Sequence, residues 1–79
     1  FYLGYKTLDK APDELLETIR FPAPAESLLF SFEKVCKRTC LDIASVNTAL
    51  LLETDGDTIG QARLSAGGVA PVPLFLEKT

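Results

Sequence analysis

The stretch FEKVCKRTCLDIASV (Phe32–Val46) holds both cysteines of the chain, Cys36 and Cys40, together with Lys34, Lys37, Arg38 and Asp42. Two thiols this close can ligate a metal or exchange electrons. A structural zinc site needs four ligands, commonly two pairs of Cys or His. The chain has no histidine and no third cysteine, so it cannot close a zinc or iron–sulfur site by itself. A redox pair is usually spaced C-x-x-C rather than C-x3-C. The plainer reading is two small, half-buried residues, with Lys37 and Arg38 near enough to favour a thiolate. Without histidine, Ser–His and Cys–His triads are excluded within this chain.

The charged residues allow two readings. Lys34, Lys37, Arg38 and Asp42 can form solvated ion pairs, each worth about 0–1 kcal/mol. They can equally present donors to an anion or an electron-rich cofactor. Other candidates are weaker. Asp55 and Asp57 flank Gly56 and read as turn chemistry and solubility. Gly67-Gly68 matches neither glycine spacing that cradles phosphates. No catalytic or metal-ligating residue is expected.

Seventy-nine residues allow one small domain, which would bury about 60 % of its unfolded surface. A hydrophobic fraction of 47 % with 24 % charged residues is a globular composition, not a disordered one. The net charge of −3 argues against nucleic acid or a membrane surface, both of which call for a basic patch. The longest apolar run, Ala49–Leu52, is strand-sized, far below the roughly 20 residues that span a bilayer. The two cysteines are no disulfide framework, and reduced thiols place the chain in the cytoplasm. The sequence opens on Phe1 inside an aromatic run and stops at LFLEKT, which reads as a piece of a longer polypeptide.

The elements that must position these residues follow from pattern. FYLGYKTLDK reads as an extended segment or loop. Pro12–Glu14 has the residues of a helix start, so one helical turn is expected at 12–15, then a strand at 16–21. FPAPAES is a connector. In SLLFSFEKV, Leu28, Phe30, Phe32 and Lys34 alternate with Leu29, Ser31, Glu33 and Val35, which predicts a half-buried strand. ASVNTALLLET and TIGQARLSA flank Asp55-Gly56-Asp57, a strong cue for a hairpin with a type I′ turn. Alternation of Ala62, Leu64 and Ala66 with Gln61, Arg63 and Ser65 predicts one wet face. Gly67 and Gly68 permit a turn or an approach that a Cβ would block. After Pro73, LFLEKT reads as the first turns of a helix. The expected class is therefore α+β: a small antiparallel sheet, a central hairpin turning at Asp55-Gly56, and a C-terminal helix.

Read together, GYKT (Gly4–Thr7), PDELLETIRFP (Pro12–Pro22), FEKVCKR with LDIASV, and LETDGDTIGQARLSAGGVAPVP occur in an order that resembles xanthine dehydrogenase-like molybdenum hydroxylases. The likeness is to the FAD-binding subunit or segment. Residues 1–24 resemble the tail of the FAD-binding domain and its connector, and residues 25–79 the first part of a carbon monoxide dehydrogenase flavoprotein C-terminal type domain. The resemblance implies an enzyme that hydroxylates purine-type or related aromatic substrates at molybdopterin. It passes electrons through two 2Fe–2S clusters to FAD, then to NAD or another acceptor. This chain would supply one wall of the flavin site. The leucine of the family's P-x-E-x-L pattern falls on Leu16, and the lysine of its F/Y-x-K pattern on Lys34. The flavin-side loop falls on about Val35–Ser45, with Arg38 and Asp42 matching its K-R and D-I-A elements. Leu41 stands where acidic members carry a second acid. The flavin's phosphate-binding glycines, the iron–sulfur cysteines and the molybdenum residues are absent from these residues. The implied partners are the rest of the FAD domain and the iron–sulfur and molybdopterin subunits or domains. The same module in a carbon monoxide dehydrogenase or aryl-CoA reductase relative is the alternative. From another class, a non-catalytic α+β module could bind a protein partner through FYLGY.

Overall fold

Residues 46–55, VNTALLLETD, can bury neither a helical stripe nor a single alternating face. Asn47, Thr48 and Glu53 interrupt an aliphatic run in the way of a central strand, paired along both edges. The computed structural model, which describes residues 1–78, places it so. Six strands follow in order: β1 Tyr2–Gly4, β2 Thr7–Leu8, β3 Leu28–Val35, β4 Val46–Asp55, β5 Thr58–Gly67 and β6 Leu74–Leu76. β1 and β2 form a small hairpin of their own; β3-β4-β5-β6 form an antiparallel meander with β4 and β5 inside.

The architecture is all-β, which corrects the α+β expectation: no helix occurs among the described residues. The C-terminal helix expected after Pro73 is strand β6, with Leu74 opposite Ala66, Phe75 opposite Ser65 and Leu76 opposite Leu64. The free edge of β5 offers ready backbone partners instead. The expected turn of helix at 12–15 is a β-turn. Glu14 N donates to Ala11 O (3.1 Å), and Ala11 N donates to Glu14 Oε2 (2.7 Å). The Glu14 carboxylate on the Ala11 amide is the glutamate half of a capping box, but Pro22 and Pro24 close off the segment beyond it. The strand expected at 16–21 is also absent. Residues 15–25 carry no regular structure and are exposed, because extended chain becomes a strand only against a neighbour.

The predicted hairpin forms, with a different turn. Asp55 pairs with Thr58, so Gly56 and Asp57 are the central residues. Gly56 has φ +60°, whereas Asp57 keeps a negative φ. That is the pattern of type II′, which places glycine first, rather than type I′. A register shift follows, from Thr54 opposite Ile59 to Glu53 opposite Gln61, and leaves Gly60 as the extra residue of a bulge.

Register sorts the side chains, because directly opposed residues share a face. One face carries Leu29, Val35, Val46, Leu50, Leu52, Ala62, Leu64 and Ala66. The other carries the wet row Gln61, Arg63 and Ser65 of β5, joined through Glu53, Leu51 and Ala49 to Leu28, Phe30 and Phe32. The apolar row of β3 thus lies across the sheet from the wet row of β5. β3 is an edge strand with Phe30 65 % and Phe32 56 % exposed, not the half-buried strand expected. Ala66 is the one buried hydrophobic side chain among the described residues. The surface is 7210 Å², against about 4,700 Å² for a compact protein of this mass. The radius of gyration is 15.6 Å, against about 12 Å for a compact domain of this length. Backbone pairing, more than a packed core, therefore sets positions here. Among the described residues no helix is long and apolar enough to cross a membrane.

The expected close approach at the glycine pair occurs. Gly68 has φ +82°, and a Cβ there would stand 2.6 Å from the carbonyl oxygen of Ser45. Gly56 has φ +60° but open space around it. Gly68→Ala is therefore expected to cost about 2–3 kcal/mol, from strain plus backbone displacement, and Gly56→Ala about 1 kcal/mol from conformation alone. Equilibrium denaturation of the two variants checks the order; equal losses would remove the steric contribution at Gly68.

Candidate functional site

β3 ends at Val35 because the chain must turn back into β4, and Ser45 N closes the turn with a 2.7 Å hydrogen bond to Val35 O. Lys34 stands one residue before that end, opposite Asn47. Nine residues, 36–44, form the loop outside this closure. The Gly68 contact on Ser45 braces the same point from the β5 side.

Within the loop, backbone carbonyls collect the cations. Lys34 Nζ donates to Asp42 O at 2.7 Å. Arg38 Nη2 donates to Leu41 O at 2.7 Å and lies 3.5 Å from Asp42 Oδ1. The same Asp42 oxygen accepts the amide of Ile43 at 2.9 Å. Leu41 takes φ +54°, one of two non-glycine residues with positive φ among the described residues. A left-handed leucine costs about 1–2 kcal/mol, and its own carbonyl accepts the charge-assisted hydrogen bond from Arg38. Leu41 is 92 % and Ile43 87 % exposed, so side-chain packing does not shape the loop.

Lys34, Arg38 and Asp42 are thus brought together. Lys37 is exposed and takes no part in these bonds. Leu16 lies in the exposed connector and shares no hydrogen bond with them. Cys36 is half-buried and donates to Arg38 O at 2.9 Å; Cys40 is exposed; both thiols are free. Among the described residues, no three metal-ligating side chains gather. Sequence reasoning missed the part played by Leu41. Nothing in a leucine announces left-handed backbone, as a glycine or asparagine would.

Shallow clefts lie elsewhere. One, of about 310 Å³, separates the β1–β2 hairpin (Tyr2, Tyr5, Lys6) from Gly68 and Pro71–Pro73. Another, of about 180 Å³, lies over Leu28, Leu51 and Arg63.

Residues 31–79 match the family described as CO dehydrogenase flavoprotein C-terminal domain. The match includes Lys34, Arg38 and Asp42 and leaves out Leu16. Among solved structures, the chain resembles carbon monoxide dehydrogenase from Hydrogenophaga pseudoflava which lacks the Mo-pyranopterin moiety of the molybdenum cofactor. The TM-score is 0.63 at 30 % identity, over 71 % of this chain and 19 % of that one. The chain therefore spans about a fifth of the length of that structure. No curated protein matches.

The Arg38–Asp42 pair is exposed on its arginine side (68 %), so the ion pair itself is worth little. A double-mutant cycle with Arg38→Ala and Asp42→Ala is expected to give a coupling below about 1 kcal/mol. Coupling well above that, from denaturation midpoints, would show a desolvated pair.

Proposed function

The chain belongs to the CO dehydrogenase flavoprotein C-terminal domain family, and from that premise we propose that it forms one wall of the flavin site in a xanthine dehydrogenase-like molybdenum hydroxylase. The carrying observation is that the family match runs through Lys34 and its loop, where two cations converge on a strand end. The residues fit a flavin edge by the chemistry of their donors. Lys34 gives one of its three donor hydrogens to Asp42 O, and the others suit an electron-rich ring. Bound FAD would take electrons from molybdenum and 2Fe–2S centres held by other subunits or domains and pass them to NAD or another acceptor.

On this reading each residue has a limited task. Lys34 holds a positive charge where reduced flavin carries a negative one. Arg38 and Asp42 fix the loop beside the ring, and Leu16 supplies an apolar contact. Holding the FAD phosphates falls to the rest of the flavin domain, since this sequence has no glycine motif for them. Purine-type substrates, an NAD acceptor and a cytoplasmic setting complete the proposal. A carbon monoxide dehydrogenase relative is the second reading, favoured by the 30 % identity to that enzyme's structure.

In the full-length flavoprotein, Lys34→Ala is expected to lower the flavin reduction potential. A loss of about 1.4 kcal/mol in stabilising the reduced form corresponds to about 30 mV for a two-electron couple. Spectroelectrochemical titration measures the shift, and NADH formation from a purine substrate should fall with it. Unchanged values for both would remove Lys34 from the site.

A further inference from the structure

We propose that Asn47 is a second contact residue for the group that meets Lys34, its carboxamide serving the imide edge of the flavin. The inference rests on the function proposed above and adds a residue to that site. Lys34, Asn47 and Gly67 stand directly opposed on β3, β4 and β5. Directly opposed residues share a face, so the Lys34 and Asn47 side chains leave the sheet together, with Cβ atoms about 5 Å apart. The next rung of that face on the same two strands is apolar, Phe32 opposite Ala49. The polar groups of β3 and β4 thus meet at the rung beside the loop.

Gly67 gives the Asn47 carboxamide a seat. A Cβ at Gly67 would stand 2.7 Å from Asn47 Oδ1, 2.9 Å from Nδ2 and 3.1 Å from Cγ. The carboxamide therefore occupies the place of the missing side chain. Gly67 lacks the positive φ of Gly68, so its backbone does not call for glycine; the space does. Asparagine is depleted from strands, and this half-buried one hydrogen-bonds no described residue through its side chain. Its carboxamide keeps two donor hydrogens and an acceptor oxygen for a ligand. A flavin's imide edge carries a carbonyl, an N–H and a second carbonyl in a row. An adjacent donor and acceptor suit that edge, as the ammonium of Lys34 suits the charge of the reduced ring.

The test uses the full-length flavoprotein with FAD bound. Isotope-edited infrared spectroscopy follows the flavin carbonyls, and FAD affinity and the denaturation midpoint are measured on the same samples. Asn47→Leu keeps the volume and removes both hydrogen-bonding groups; Asn47→Ala replaces it should the leucine variant fail to fold. Either is expected to raise the stretching frequency of an imide carbonyl and to weaken FAD binding about two- to tenfold, the loss of one hydrogen bond. Gly67→Ala is expected to raise the same band, because its methyl group displaces the carboxamide, and to add no further shift to Asn47→Ala. A lowered midpoint with unmoved carbonyl bands and unchanged FAD affinity would overturn the inference, leaving Asn47 as packing over Gly67. Lys34→Ala separates the two proposals. A changed flavin potential in that variant, beside unmoved bands in the Asn47 variants, keeps Lys34 at the flavin and removes Asn47. No change in any variant sinks both.

Discussion

β4 is bonded along both edges, to β3 from Val46 to Glu53 and to β5 from Asn47 to Asp55, and every other position in the sheet follows from that double ladder. One residue of slip on either side would turn each side chain of the partner strand to the opposite face. The pairing of Lys34 with Asn47, and of Gly67 with the same Asn47, sets where β3 ends and where β5 turns away. The cation loop and the diglycine turn are therefore neighbours because of register. Packing alone would not hold them, since a surface of 7210 Å² with Ala66 as the buried hydrophobic leaves little core to do so.

With side-chain burial scarce, the loop is fixed by main-chain polar groups. Ser45 uses both of its own: its amide closes the loop on Val35 O, and its carbonyl lies against Gly68. A residue larger than glycine at position 68 would push on that carbonyl and so on the loop closure. The strand ladder, the turn at Gly68 and the loop closure at Ser45 thus meet at one stretch of backbone.

Much of the sheet was legible because its signals are local. Asp55-Gly56-Asp57 between two aliphatic runs specifies a hairpin whatever surrounds it. The type of turn was not, since Asp57 tolerates either sign of φ; nor was the bulge at Gly60, which only the register reveals. The errors share a cause. Pro12–Glu14 and Pro73–Leu76 have the residues that begin helices, which predicts one helical turn at the first and the first turns of a helix at the second. Pro22 and Pro24 cut off the first, and the open edge of β5 claimed the second. Residues 16–21 have strand residues but no strand beside them among the described residues. Of the candidate site, the cluster of charges was visible, but its meaning came from resemblance. Periodicity could not separate a solvated loop from a cofactor wall. The convergence of Lys34, Arg38 and Asp42 runs through the carbonyls of Leu41 and Asp42, which side-chain chemistry does not announce.

The choice of partner for those cations has an electrostatic consequence. A carboxylate at hydrogen-bond distance would hold Lys34 equally well but cancel its field beyond a few ångströms, because the pair is a dipole rather than a charge. A backbone carbonyl carries no net charge, so it fixes the ammonium and leaves the positive charge whole. Arg38 shows the contrast, since Asp42 at 3.5 Å partly neutralises it. Asp42 therefore presents opposite ends to the two cations: its side chain answers Arg38, and its carbonyl answers Lys34. A neutral Leu41 keeps a second acid out of the same turn. The loop therefore holds one lysine by a hydrogen bond that leaves its charge whole.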